Sequence, residues 1–456
     1  MKPPNLEIAY LRIPEVGVVY MSQHQTNKED RSMQDLSVYL SANARNMKKS
    51  VIRELLKLTN QPDIISFAGG LPAPETFPVE ELRQASDRVF RQYGDKILQY
   101  GTTEGDNDLK ARLVEYEKER GFSLSVQNLL ITSASQQALD MLPKLFLDPG
   151  DYVIAGRPTY LGAIQAIQSY QGKVLGIPFS SANDGFDMVE LEKRYSRAVS
   201  QKKRIKYIYV IPDFQNPTGI CWSLEKRKAL IEFAYRENLF IAEDAPYREI
   251  RFLGEPVDSL YKLEQQMQNR GIIISLKTFS KILSPGARIG WVVAREDIIQ
   301  KMVVAKQAMD LCTSVITQKM IAEFMATGKL KDIVARTCGI YREKRNFMLE
   351  KFDAYMPKRF DLTWTKPEGG LFLWLSLPHY IDTEKMFYKA IEKKVAYVVG
   401  SAFYFDEPET NSMRINFSYS TFEQIDEGVK RLADTIREEI EEHEAGPRGQ
   451  TTSEGL

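Results

Sequence analysis

Seven short apolar runs recur through the middle of this chain: Leu129–Thr132, Tyr152–Ala155, Val174–Pro178, Tyr207–Ile211, Phe240–Glu243, Ile272–Leu276 and Gly290–Ala294. They are four or five residues long, rich in Ile and Val, and lack the polar alternation of a strand with one wet face. Runs of this kind mark strands buried on both faces, and therefore a mostly parallel sheet covered by helices. The expected fold is α/β, with a mostly parallel seven-stranded sheet in a large domain over residues 77–310. Ligands of such a sheet lie beyond the carboxyl ends of its strands.

After Glu296 the pattern changes to amphipathic helix, as in Ile299–Asp310 and Arg342–Lys351, then to short strands at Leu371–Leu375 and Met413–Phe417 and a closing helix at Phe422–Ile440. A smaller α+β domain over residues 311–440, completed by residues 36–76 from the other end of the chain, accounts for this. Residues 1–35 read as a flexible extension, in which Met21 and Met33 are alternative starts, and residues 441–456 as a disordered tail. The apolar stretch Ile13–Met21 contains Glu15 and runs into polar sequence, unlike a secretory signal. Three widely spaced cysteines, Cys221, Cys312 and Cys338, offer neither a disulfide framework nor a metal knuckle, so a cytoplasmic location is expected.

Charge and histidine content narrow the chemistry. With 61 basic and 61 acidic residues among 456, the chain has no net charge to draw it to nucleic acid or to an anionic membrane. Small neutral or zwitterionic ligands suit it better. His24, His379 and His443 lie in polar or loop-like stretches, so histidine catalysis and a metal triad are not expected, and Lys, Tyr, Asp and Arg are left to do the work. Neither GxGxxG nor GxxxxGK[ST] occurs, which disfavours dinucleotide and nucleotide chemistry.

Each conspicuous polar cluster follows one of the expected strands. Ser133 to Asp140 open a helix whose free N–H groups and hydroxyls could cradle a phosphate, or be capped in the ordinary way by Ser133 or Ser135. Asn216-Pro217-Thr218-Gly219 is a turn, and a turn that could aim an amide at a ring oxygen. Asp244 ends a strand and precedes Tyr247; it could cap backbone, or hold a pyridine nitrogen protonated. Lys281, in Thr278-Phe279-Ser280-Lys281 with Arg288 beyond, is an amine among hydroxyls, able to form a Schiff base where its proton is easily lost.

In this order and at these intervals, the clusters make the chain resemble the fold type I pyridoxal-phosphate aminotransferases, and among them the 2-aminoadipate, aromatic and kynurenine group. The resemblance covers about Ser50 to about Glu439. It implies pyridoxal 5'-phosphate as cofactor, Lys281 as its covalent anchor, Asp244 at the ring nitrogen, and Asn216 with Tyr247 at the phenolic oxygen. It further implies Ser135, Gln136, Thr278, Ser280 and Arg288 at the phosphate and Tyr160 stacked on the ring. Tyr100 would reach the neighbouring subunit's cofactor, so a homodimer with shared sites is implied. Arg414 would pair with the substrate α-carboxylate, Arg53 would meet or avoid the substrate side chain, and Gly70 would let backbone approach the substrate.

The expected function is therefore transfer of an amino group from an L-amino acid of 2-aminoadipate, aromatic or branched-chain type to 2-oxoglutarate or another 2-oxo acid, in a ping-pong cycle. A decarboxylation, substitution or racemisation on the same cofactor is the alternative. An aminotransferase-like transcription regulator is a third, disfavoured because only about fifty residues precede the resemblance and they lack a basic recognition-helix pattern.

Overall fold

The computed structural model describes residues 35–46, 63–406 and 408–445. Residues 35–45 belong to a separate unit, with a 3-10 turn at Leu36–Val38 capped by the Asp35 carboxylate. The remainder carries thirteen strands: β1 Ile65–Ser66, β2 Leu129–Thr132, β3 Tyr152–Arg157, β4 Lys173–Pro178, β5 Ile205–Val210, β6 Phe240–Asp244, β7 Ile273–Thr278, β8 Gly290–Val293, β9 Thr363–Trp364, β10 Phe372–Ser376, β11 Val395–Ala396, β12 Val398–Val399 and β13 Ser412–Asn416.

All seven expected runs fall in one sheet, ordered β2-β8-β7-β6-β5-β3-β4. β4, β3, β5, β6 and β7 are parallel, and β8 runs antiparallel to both β7 and β2. β2, β7 and β8 are buried along their whole length, which is why their sequences show no alternation. The structure extends β6 to Asp244 and β7 to Thr278, past the ends of the apolar runs. The hydrogen-bond ladder outlasts the hydrophobic signal there because the last residues are polar groups lining a cavity. From β3 the chain moves outward to β4 and then returns to β5, so the loops after β3 and β5 diverge and open a crevice.

A second sheet, β12-β13-β10-β9, is antiparallel, and β1 pairs in parallel with β11. β1 leads into Phe67, whose carbonyl accepts from Asn416 N at 2.9 Å, so the segment after β1 lies beside β13. Two long helices, Leu330–Tyr355 and Phe422–Glu444, pack on each other. The closing helix runs four residues beyond the expected Ile440. Charged side chains hold its last turn: Lys389 pairs with Glu442 at 2.7 Å and Arg359 with Glu444 at 2.6 Å. His443 is exposed and stacks on Tyr380 at 3.7 Å between ring centroids. Among the described residues no helix is long and apolar enough to cross a membrane.

Candidate active site

The carboxyl end of the large sheet meets the second sheet around a cavity of ≈ 350 Å³. Twelve of the fourteen candidate residues line it: Gly70, Ser135, Gln136, Tyr160, Asn216, Asp244, Tyr247, Thr278, Ser280, Lys281, Arg288 and Arg414. Tyr100 lies outside it and is 79 % exposed. Arg53 falls outside the described residues.

Two neighbouring strands lead to Asp244 and Lys281. Asp244, the last residue of β6, is buried; Tyr209 donates to its Oδ2 at 2.8 Å, and its Oδ1 has no partner among the described residues. Burial pushes the Asp244 carboxyl up to about 7, against the pull of the Tyr209 hydrogen bond. Lys281 follows β7, and its Nζ donates to Gly70 O at 2.8 Å without a carboxylate partner among the described residues. Burial, reinforced by the charges of Arg414 and Arg288, lowers the amine to about 8.

Asn216 and Tyr247 sit between this pair and Arg414. The loop after β5 is pinned from several sides. Asp213 Oδ1 accepts from Arg227 and its Oδ2 from Arg248, both at 2.8 Å, while Gln215 donates to Pro158 O at 3.1 Å. Burial favours the neutral form of Asp213, but the two guanidinium groups hold its carboxyl well below the usual range. Asn216 then donates to the Tyr247 hydroxyl at 3.5 Å and accepts from Arg414 Nη1 at 2.9 Å. Arg414, at the centre of β13, is only 6 % exposed. Its Nη2 donates to Ala68 O at 2.8 Å, and its Nε has no partner among the described residues. The Phe372 ring backs it at 4.1 Å and also meets Tyr247 edge-on. Burial lowers Arg414 to about 10, with no carboxylate ion-paired to it among the described residues.

The helix Ala134–Phe146 starts at the cavity wall with an open N-terminus. Ser133 occupies the cap position but makes no cap bond; its hydroxyl turns to Asp310 Oδ2 at 3.0 Å, and Asp310 is held in turn by Lys306 at 2.7 Å. Other helices are capped normally, as by Asp187, Ser223 and Thr421. The uncapped end descends onto β8 at Gly290, where a Cβ would come within 2.8 Å of Ser135 N and 2.7 Å of the Ala134 carbonyl carbon. Thr278 donates to Ser280 Oγ at 2.9 Å beside it, and Arg288, at φ 51°, has no ion-pair partner among the described residues.

Sequence reasoning missed Tyr209 and the apolar walls Leu161, Ile211 and Phe372. Tyr209 is opposite Ala242 in the β5–β6 ladder, on the same face as Asp244, a placement that only the strand register reveals. The walls are ordinary apolar residues, and although Leu161 and Ile211 adjoin candidate segments, nothing in their own side chains marks them as cavity-lining.

The family model for aminotransferase class I and II matches residues 62–432. Aromatic-amino-acid aminotransferase 1 of Thermococcus litoralis is 42 % identical over 89 % of this chain and 96 % of its own length. Among solved structures, Pyrococcus horikoshii kynurenine aminotransferase, in complex with PMP and kynurenine, has a TM-score of 0.84 at 43 % identity, covering 89 % of this chain and 99 % of that one. The α-aminoadipate aminotransferase of Thermus thermophilus, complexed with N-(5'-phosphopyridoxyl)-L-leucine, has a TM-score of 0.81 at 36 % identity over the same shares. A match across most of the chain, on a sheet whose strand ends converge on a lysine, an aspartate and an arginine, means that this chain belongs to the class I and II aminotransferases, a pyridoxal-phosphate-dependent family.

Proposed function

We propose that the chain moves an amino group from an L-amino acid with an apolar or aromatic side chain to 2-oxoglutarate or another 2-oxo acid, with pyridoxal 5'-phosphate held in this cavity. One observation carries the reading: among the described residues, a lysine amine without a carboxylate partner, a buried carboxylate oxygen lacking a donor, and a buried arginine lacking a carboxylate face the same space. Each would be costly unless a ligand completes it.

The donor set fits that cofactor. Asp244 Oδ1 is an acceptor for a protonated ring nitrogen, and Tyr247 with the Asn216 amide can donate to a phenolic oxygen. The open end of helix Ala134–Phe146, with Ser135, Gln136, Thr278, Ser280 and Arg288, suits a phosphate dianion. Tyr160 provides a face for the ring. When bound, the cofactor supplies an aldehyde for amine exchange and a ring that withdraws electrons from the substrate α-carbon.

The chain's residues do the rest. Lys281, lowered to about 8, is the group able to take a proton from the α-carbon and return it, since it loses its own proton near neutral pH. Arg414 presents a planar fork, charged at neutral pH, to the α-carboxylate, and Asn216 Oδ1 and Phe372 fix that fork. Gly70 O accepts a hydrogen bond from the Lys281 amine when that amine is free. Leu161, Ile211 and Phe372 offer the side chain an apolar wall. The charged residues lining the cavity are Asp244, Lys281, Arg288 and Arg414, all assigned above. A side-chain carboxylate, as in 2-oxoglutarate or 2-aminoadipate, is left to Arg53. The names of the similar proteins, which include aromatic, kynurenine and aminoadipate aminotransferases and a leucine adduct, support this range of donors. A homodimer, with Tyr100 reaching across to the partner's phosphate, is part of the proposal.

The test is spectral. Protein reconstituted with pyridoxal phosphate is expected to absorb in the visible and to lose that band when glutamate or phenylalanine is added, with one pyridoxamine phosphate formed per site. Lys281→Ala is expected to lack the band and to reduce amino transfer to background. A wild-type protein that shows no band sinks the reading.

A further inference from the structure

Tyr209 is 1 % exposed, and its hydroxyl is the only hydrogen-bond donor to the Asp244 carboxylate among the described residues. The other titratable side chains lining the cavity are Tyr160, Tyr247, Lys281, Arg288 and Arg414, and none of them donates to Asp244. A hydroxyl on Oδ2 does two things. It fixes the carboxylate plane, so that Oδ1 is the oxygen left to the cavity, and it stabilises negative charge in a place where burial otherwise favours the neutral acid.

We propose that Tyr209 is a positioning residue for amino transfer: through Asp244 it decides whether the proton between Asp244 Oδ1 and the cofactor's ring nitrogen stays on the nitrogen. This deepens the reading above and rests on it. The balance involves one proton. With the Tyr209 hydrogen bond in place, Asp244 remains a carboxylate and the ring nitrogen is cationic. Without that bond, the same proton moves to Oδ1, Asp244 becomes a neutral acid, and the ring withdraws electrons less strongly. Tyr209 keeps its own proton throughout, because burial and the neighbouring Asp244 raise its phenol well above the ordinary range. The direction for Asp244 agrees: burial pushes it up, and the Tyr209 bond is the one influence drawing it back.

A Tyr209→Phe holoenzyme keeps the ring and its packing and removes one hydroxyl. With cofactor labelled with nitrogen-15 in the ring, the wild-type nitrogen is expected to report a protonated state by NMR at neutral pH, and the variant a loss of that proton at lower pH. The half-reaction with an amino-acid donor is expected to slow about tenfold or more, the effect of a hydrogen bond to a charged group. In an Asp244→Asn background the same change should slow it less than about twofold, since coupled residues are not additive. A ring nitrogen that stays protonated in Tyr209→Phe overturns the proposal, as does equal slowing in the Asp244→Asn background, which would make Tyr209 a packing residue. Should Tyr209→Phe fail to fold, 3-fluorotyrosine at position 209, a stronger donor of the same shape, should hold the ring proton to higher pH. An unchanged or opposite shift overturns the proposal. A wild type that binds no cofactor overturns the underlying reading as well, whereas a wild type with a protonated ring that the variants leave unaltered overturns this proposal alone.

Discussion

Lys277 Nζ lies 2.5 Å from Glu117 Oε2, and Trp291 donates to the other oxygen of that carboxylate at 2.9 Å, so this buried lysine is ion-paired. Lys281, four residues on, has a backbone carbonyl instead, and burial with two nearby arginine charges lowers it to about 8. An unfolded lysine keeps its proton to about 10.4. Between those values the unfolded chain binds more protons than the folded one, so this group's contribution to stability rises with pH from about 8 upward, and its penalty is full below. The same shift governs reactivity. Without cofactor, capture of a simple aldehyde by Lys281 is expected to rise with pH to a midpoint near 8 and then flatten. Arg414→Gln should move that midpoint upward, because burial remains while one repelling charge goes. Stopped-flow absorbance from about pH 6 to about 11 measures both, and a wild-type midpoint close to that of a free lysine would refute the electrostatic account.

Helix Ala134–Phe146 and strand β8 make one device out of two elements. Gly290 is the contact point, paired with both Thr132 and Thr278 in the ladders and too close to Ala134 and Ser135 for any side chain. Gly290→Ala must therefore lift the helix start away from the sheet. Overpacking of this kind costs about 1–3 kcal/mol, and because the displaced groups belong to the proposed phosphate cradle, cofactor affinity should fall by roughly five- to 150-fold. Equilibrium dialysis of pyridoxal phosphate measures it; unchanged affinity with a lowered melting temperature would assign Gly290 to stability alone. Elements were legible in the sequence where burial on both faces leaves an unbroken apolar run, as in β2 and β7. Lys281, Asp244 and Asn216 were legible because each closes such a run or follows it within a few residues. What stayed hidden depends on register and direction. The reversed β8, the hydrogen bond from Tyr209 to Asp244 and the seating of Phe372 behind Arg414 each join residues far apart in the sequence, and none leaves a local pattern.

Across the whole molecule, Tyr100 is the one described candidate residue that stands outside the cavity. Tyr100 follows a 3-10 turn, Gly94–Leu98, packed on the helix Val315–Met325, and it stands 79 % exposed next to Leu98 at 68 %. Phe90, Val304 and Leu311 are also open to solvent. In the proposed homodimer these exposed side chains would be available to a symmetric contact with a second copy, in which each tyrosine completes the other's cavity. That arrangement makes a strong prediction, because the two sites of one dimer draw Lys281 and Tyr100 from different chains. Tyr100→Ala and Lys281→Ala proteins should each be strongly impaired. Unfolded together and refolded as an equal mixture, half of the dimers are hybrids, and each hybrid has one site with both native residues and one with neither. Activity should therefore recover to about a quarter of the wild-type value per site. Sedimentation should give a dimer throughout. A mixture no more active than its components, from chains that do form dimers, would mean that Tyr100 serves its own chain and that the sites are not shared.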